Sequence, residues 1–496
     1  MTQEKSRHPV LRWHTPAQGI AVTLFFLTPV AAWTGLYRPE LLKGFIQPWP
    51  AGWANWAAGL TAVVLVILPM LWVAVSRVAD IFALFLAQNA LLMTGYFFLE
   101  TTGAKLAGMG DAIEQTGSLV VLINAAGFAI LFFIMGLTYL LAVASRARLG
   151  TLPAPPEVCD AQLTWFLRAA GLAVAVALAL PMGVSGTIPL LAKDAALARF
   201  DMIHSDTARA LYHAGTAILP FITGGLLMLI IRRPLRLLGI DGWIAGTILV
   251  IQILTSNRLP LSITFFVTLT LVTLEKRWPR SVLIVAFAGF LAVFTLMAGF
   301  TSMLRQDRGR LAEGNLVRTS LSAAFLGDNL IDLRDASWVF SQWDFDPLLG
   351  QTYLGGLTAM LPSGVFPLKK EWHLGTTGIR IVGWNPEEHF GLRITFFGES
   401  FLNFGPAGVL ALAVVMGVLF GTLLRALHLI SHKSPPCLHW SLRTVILMQM
   451  CLPLTNTSDA FTFWAMLGFL ALQWLLVDFP LRSSTSEPSI HVTGRA

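Results

Sequence analysis

Apolar segments alternate with short polar connections along most of the chain. An α-helix needs about 20 apolar residues to cross the hydrocarbon core of a bilayer. About twelve segments approach that length: 20–37, 56–75, 81–99, 119–141, 165–191, 214–231, 243–254, 261–274, 282–304, 405–424, 442–454 and 461–477. The seventh, eighth and eleventh are short, so their ends are expected inside the bilayer. The pattern predicts an all-α, polytopic membrane protein with about twelve transmembrane helices.

One long polar stretch, residues 305–403, interrupts this alternation before the last three apolar segments. It predicts three parts: an N-terminal helix bundle over 1–304, a large loop over 305–403, and C-terminal helices with a cytoplasmic tail over 404–496. Basic residues mark the cytoplasmic connections of membrane proteins. Here they cluster at every second connection, as at Arg146 and Arg148 or at Arg232, Arg233 and Arg236. The long loop is therefore expected outside the cytoplasm, with both termini inside.

Composition supports the same class. Hydrophobic residues make up 55% of the chain and charged residues only 12%, about half the charged fraction of a soluble domain. The three cysteines are too few and too scattered for a disulfide framework or a zinc site. Neither a phosphate-binding P-loop nor a dinucleotide fingerprint is present, so an ATP-driven pump is disfavoured.

Arg258 is the first candidate for chemistry. It follows Ser256 and Asn257 between two apolar arms of about 15 residues. Arms this short predict a hairpin turn that lies below the outer membrane surface. An arginine at that depth usually faces a cavity or a partner. The alternative is an arginine that extends its side chain to the lipid phosphates.

A second group of candidates ends the long loop. Arg380, His389, Arg393 and Glu399 come together in the sequence just before the span at 405–424. The planar guanidinium group suits phosphate oxygens. Glu399 is expected to be partly buried among phenylalanines, which would favour proton transfer. The alternative is that Glu399 only caps exposed amides at a helix start.

A third cluster, residues 318–346, includes Arg318, Arg334 and Asp335. For the last two, a surface ion pair is the simpler interpretation. Asp344 and Asp346 are spaced like a metal-binding pair, but no neighbouring residue completes a ligand set. His432, Cys437 and His439 are equally poor as a zinc site.

These features together resemble bacterial oligosaccharide repeat-unit polymerases, which include the O-antigen polymerases and are related to O-antigen ligases. The resemblance lies in the layout of spans, the SNR turn at 256–258, GQTY at 350–353 and FGESFLNFGPAG at 397–408. Leu361-Pro362 and Lys369-Lys370 also fit the loop of that group. Arg380 and Gly391 match an arginine and a glycine that are ten residues apart in some members.

The resemblance implies a glycosyltransferase C-like fold and a multi-pass protein of the bacterial inner membrane. It implies transfer of a sugar chain from undecaprenyl diphosphate to a new lipid-linked repeat unit, without metal or other cofactor. Arginines would hold the diphosphate, and the candidates are Arg258, Arg380, Arg393, Arg318 and Arg334. Glu399 is the first candidate for the base and His389 the second. Membrane lipids and a chain-length regulator protein are candidate partners, and no nucleic acid is expected.

Three other functions compete with this interpretation. An O-antigen ligase would usually carry a His-Asn pair where this chain has Gly398-Glu399-Ser400. A transporter or flippase for lipid-linked sugars would more often show mid-span charges and paired broken helices. Glycosyltransferases with acidic pairs in the first outward loop are disfavoured, because that loop offers Glu40 alone.

Overall fold

The computed structural model describes residues 110–144, 160–192, 195–203, 205–255, 259–276, 332–359, 361, 364–386, 392–433, 437–450 and 460–478, and positions 282, 285, 286 and 289. Over these residues the secondary structure is helical, without strands. The predicted all-α class is therefore confirmed for the part of the chain that the structure describes.

Twelve α-helices occur in the described ranges, joined in places by 3-10 turns. The helices are α1 (Gly110–Ala144), α2 (Asp160–Ser185), α3 (Ala195–Met202), α4 (Asp206–Arg232), α5 (Ile240–Leu254), α6 (Leu259–Lys276), α7 (Asp332–Gln342), α8 (Gln351–Leu357), α9 (Leu374–Ile381), α10 (Gly398–Lys433), α11 (Leu438–Met450) and α12 (Ala460–Gln473). The 3-10 turns are Pro189–Leu191, Pro234–Leu238 and Pro367–Lys369, and a π turn, Trp474–Asp478, extends α12.

Among the described residues, four helical stretches are long and apolar enough to cross a membrane. They are Ala161–Ser185, Thr207–Arg232, Gly398–Ala426 and Ala460–Asp478. Helices also occupy the other predicted segments that fall in the described ranges, namely 119–141, 243–254, 261–274 and 442–450. The segments 20–37, 56–75 and 81–99, and most of 282–304, lie outside the described residues. The described structure is thus mostly helical, with four helices that could cross a membrane by length and composition, while the total of twelve spans stays a prediction.

The described helices belong to two compact units. The first contains α1, α7, α8, α9 and most of α10, and the second contains α2 to α6, α11 and α12 from Phe461.

In the first unit, α1 and α10 approach each other closely through two glycines. A Cβ atom at Gly417 would lie 2.8 Å from the Leu131 carbonyl oxygen, and one at Gly421 would lie 2.6 Å from that of Met135. Two small residues four positions apart are a common way for membrane helices to bring their backbones together. Because of this contact, α1 packs directly against α10.

Helix α10 is two helical segments joined at a kink. Gly405 has φ 62° and ψ −153°, a conformation that glycine adopts far more readily than residues with a Cβ, and Pro406 follows it. Beyond the kink the chain folds back tightly, because a Cβ atom at Gly408 would lie 2.5 Å from the Ser400 carbonyl oxygen. The predicted loop, which ends at residue 403, therefore closes with a short helical segment that precedes the long apolar one.

The core of the second unit is formed by the facing sides of its helices. Phe166 of α2 lies 5.4 Å from Phe469 of α12, measured between ring centroids. Helix α4 approaches α6 at Gly224, where a Cβ atom would lie 2.7 Å from Val267. The buried apolar side chains of seven helices in this unit form one continuous cluster.

Ionisable pairs of the second unit collect where α4, α6 and α12 end and α2, α5 and α11 begin. The pairs are Arg168–Asp241 at 2.6 Å, Arg232–Glu275 at 2.8 Å and Arg443–Asp478 at 2.6 Å. Arg232, which the sequence pattern assigns to a cytoplasmic connection, lies at this end. The placement of this end in the cytoplasm stays a prediction.

Candidate functional site

Glu399 lies in the first turn of α10, in the first unit, and its side chain is fully buried. Burial is therefore more complete than the sequence predicted. A carboxyl group at a helix start interacts favourably with the free amides there. In this conformation the carboxyl group has no exposed surface, so a substrate hydroxyl could reach it only if the site opens.

The Glu399 side chain is held by a buried polar network. The Thr352 hydroxyl donates a 2.7 Å hydrogen bond to Glu399 Oε1. Asn403 Nδ2 donates to the Thr352 hydroxyl at 2.6 Å and to the Glu399 carbonyl oxygen at 2.8 Å. All three side chains are fully buried. Because Glu399 and Asn403 are four residues apart, they present both groups on one face of the helix.

The segment before Thr352 docks on α10 through its backbone. The amides of Leu348 and Leu349 donate to the carbonyl oxygens of Leu402 and Asn403, each at 3.0 Å. Gly350 donates its amide to Asn403 Oδ1 at 3.0 Å and has φ 88°. A Cβ atom at Gly350 would also lie 3.1 Å from the Phe404 ring.

Glycine therefore suits position 350 for two reasons. Its φ falls in the left-handed region, and the Phe404 ring leaves little room for a Cβ atom. No role was assigned to the GQTY motif from the sequence. In the structure it places the Thr352 side chain beside Glu399.

Tyr353 extends the same cluster. Its ring stacks on that of Phe404, with an interplanar angle of 11° and a centroid distance of 6.1 Å. Burial raises the pKa of the Tyr353 hydroxyl above its usual range, and the negative charge of Glu399 raises it further. Tyr353 is therefore a neutral phenol at ordinary pH.

A second polar contact fixes the turn that precedes Glu399. Asn124 of α1 donates from Nδ2 to the Thr395 hydroxyl at 2.7 Å and accepts the Phe397 amide at 3.3 Å. The Gly398 amide also donates to the Thr395 hydroxyl, at 3.2 Å. Asn124 is a polar residue within an apolar segment, and such residues commonly hydrogen-bond to a neighbouring element. That signal was present in the sequence and was missed.

Arg380 and Arg393 are both exposed, on neighbouring segments of the first unit. Arg380 ends α9 and lies 3.9 Å from Glu371, with both side chains about half exposed. Helix α9 packs against the segment around Arg393, because a Cβ atom at Gly378 would lie 3.4 Å from Leu392. Both guanidinium groups thus reach solvent from adjacent parts of the fold, where an anion could approach them.

Arg334 and Asp335 were interpreted as a surface ion pair. The surface placement is wrong for Asp335. Asp335 is buried, and its Oδ2 accepts a hydrogen bond from the Arg393 amide at 3.3 Å. A carboxylate bonded to a neighbouring backbone amide is a positioning contact for that segment. Arg334 belongs to α7, and its side chain lies outside the described part of the structure.

Three other predicted site residues, Arg258, Arg318 and His389, lie outside the described residues. Their roles stay predictions.

Within the described ranges, no group of three or more His, Cys, Asp or Glu side chains is arranged to hold a metal ion. His439, weighed as a zinc ligand in the sequence, belongs to the second unit and lies 2.8 Å from Asp478. The groups that hold Glu399 are instead hydroxyl and amide groups, which suit hydrogen bonding.

A scan against protein-family models finds no match, and searches of curated proteins and of solved structures find no significant similarity either.

Proposed function

We propose that this chain is a multi-pass protein of the bacterial inner membrane that joins undecaprenyl-diphosphate-linked oligosaccharide repeat units at the outer face. The observation that supports this most directly is the presence, within one unit, of a firmly held carboxyl group and of two exposed arginines on segments that pack against each other. Glu399 is fixed by Thr352, while Arg380 and Arg393 reach solvent. Apolar helices of spanning length supply surfaces for the lipid tails.

In the proposed reaction, the attacking hydroxyl of the new repeat unit forms a bond to the anomeric carbon of the growing chain. The bond from that carbon to the diphosphate oxygen breaks, and its electron pair leaves with the diphosphate. Arginine side chains stabilise the departing charge. The hydroxyl proton passes to Glu399, or to His389 as the second candidate. Membrane lipids and a chain-length regulator protein are the partners we expect.

The test uses the purified chain in lipid nanodiscs with lipid-linked repeat units from the same host. Polymer length is read as a ladder on a gel. We expect Glu399→Gln to lose activity by about 100-fold or more, the usual contribution of a general base. The amide oxygen of Gln can still accept the Thr352 hydrogen bond, so the fold is expected to persist. Asp344→Asn, which neutralises an exposed acid in the same unit away from the candidate arginines' ion pair, is the matched control.

Arg380→Lys and Arg393→Lys keep the positive charge but lose the planar guanidinium group that binds two phosphate oxygens at once. Both substitutions are expected to impair transfer. Full-length polymer from Glu399→Gln together with a dead His389→Ala would move the base to His389. If the wild-type chain makes no polymer, and instead moves the glycan to another acceptor or carries the lipid across the bilayer, the proposed reaction is wrong.

A further inference from the structure

The connection between α4 and α5 is a rigid corner, residues 232–243. Its centre is the 3-10 turn Pro234–Leu238, which the Gly239 amide closes by donating to the Arg236 carbonyl oxygen at 3.1 Å. The next turn is equally tight, because a Cβ atom at Gly242 would lie 1.9 Å from the Leu237 carbonyl oxygen. The backbone of the 232–243 corner is therefore tightly packed.

One side of the corner is strongly apolar and uncovered. Leu235 is 86% exposed, Leu238 is 83% exposed and Trp243 is 75% exposed, and Leu237 and Ile240 are exposed beside them. The corner follows the end of Thr207–Arg232, one of the helices that can span a membrane. Tryptophan is favoured where a protein crosses the boundary between hydrocarbon and headgroups.

The other side of the corner is cationic. Arg232 pairs with Glu275 at 2.8 Å, and Asp241 pairs with Arg168 at 2.6 Å and Arg236 at 3.5 Å. Both acids are buried beneath the arginines.

Arg233 is exposed and makes no ion pair within the described part of the chain. In the described part of the chain, the ion pairs at the corner thus join three arginines to two carboxyl groups, and the exposed Arg233 adds a further positive charge at the surface.

We propose that the 232–243 corner is a binding site for an anionic phospholipid. The lipid phosphate lies against Arg233 and the outer edges of Arg232 and Arg236, because guanidinium groups match phosphate oxygens. The acyl chains lie against Leu235, Leu238 and Trp243. Basic groups beside a membrane helix attract anionic headgroups in this way. This inference does not depend on the proposed activity.

Native mass spectrometry of the full chain in detergent tests the site, with phosphatidylglycerol and phosphatidylcholine titrated separately. We expect phosphatidylglycerol to be retained more strongly. Removing one arginine near a lipid surface should weaken that retention about fivefold, so Arg233→Gln should show this loss. Arg209→Gln is the matched control, because Arg209 lies near the opposite end of α4.

A second variant tests the apolar half. Leu235→Ser is expected to lower phosphatidylglycerol retention without changing the monodisperse elution of the protein. Equal retention of the two lipids, or equal retention by Arg233→Gln and Arg209→Gln, would show that the corner does not recognise an anionic lipid. Displacement of the lipid by inorganic phosphate alone would reduce the site to a phosphate site. If the wild-type protein is a dimer and Leu235→Ser dissociates it, the corner is a protein–protein interface and the lipid-site proposal is wrong.

Discussion

Thr352 is the central member of the buried network around Glu399, and its loss should be measurable as lost stability. The Thr352 hydroxyl donates to Glu399 Oε1 and accepts from Asn403 Nδ2. Thr352→Val keeps the shape of the side chain and removes both bonds. A hydrogen bond to a charged group contributes about 1.5–3 kcal/mol and a neutral one about 0.5–1.5 kcal/mol. We therefore expect Thr352→Val to lower the free energy of unfolding by about 2–4 kcal/mol.

Two control variants show whether the lost stability comes from the Thr352 hydroxyl. Thr352→Ser keeps the hydroxyl and removes one methyl group, which should cost only about 1 kcal/mol. Thr358→Val removes a hydroxyl that bonds only to backbone carbonyl oxygens near the end of α8, and it should cost under about 1 kcal/mol. The assay is tryptophan fluorescence during unfolding in mixed micelles with increasing sodium dodecyl sulfate.

A double-mutant cycle adds a direct test of the contact between Thr352 and Glu399. Groups that touch give non-additive effects, so Thr352→Val should cost less in a Glu399→Ala background than in the wild type. The reasoning fails if Thr352→Val is as stable as Thr352→Ser, or if the two substitutions add.

The remaining predictions concern Gly405 and His373. Gly405→Ala places a Cβ atom on a backbone with φ 62° and ψ −153°, so we expect a loss of about 1–3 kcal/mol in the same unfolding assay, whereas Ala407→Gly should cost under about 1 kcal/mol. His373 Nδ1 accepts the Gly375 amide as the N-cap of α9, and burial lowers the pKa of His373. Its contribution is therefore present above about pH 6.5 and is lost as the pH falls through the lowered pKa. We expect the thermal midpoint to fall between pH 7.5 and pH 5 by more in the wild type than in His373→Asn, and an equal fall in both would contradict the prediction.

The helical segments could be predicted from the sequence because they depend on local pattern. Each predicted span that falls in the described ranges is occupied by a helix, since runs of apolar residues near 20 long have few alternatives. The boundaries were less accurate. The helix α10 begins at Gly398, inside the predicted loop, and its kink at Gly405 divides it. Local pattern does not contain the tertiary contacts that allow this kink.

The partners of Glu399 could be predicted only in part. Asn403 lies four residues further on the same helix, so helical spacing alone places it beside Glu399. Thr352 comes from a segment 47 residues earlier in the chain, and a single sequence carries no signal that joins the two. The burial of Asp335 was missed for the same reason, because one of its contacts is a backbone amide 58 residues away.

The 397–408 motif contains two glycines that the fold requires and the glutamate that is the first candidate for the base. Gly405 and Gly408 are required by the kink, where one has a positive φ and the other packs against a carbonyl oxygen. The described contact of the Glu399 side chain needs only an acceptor for the Thr352 hydroxyl, and glutamine supplies one equally well. A neutral acceptor would also avoid burying a charge. A loss of activity in a Glu399→Gln protein that folds normally and keeps the Thr352 hydrogen bond would therefore support a chemical role for the carboxyl group.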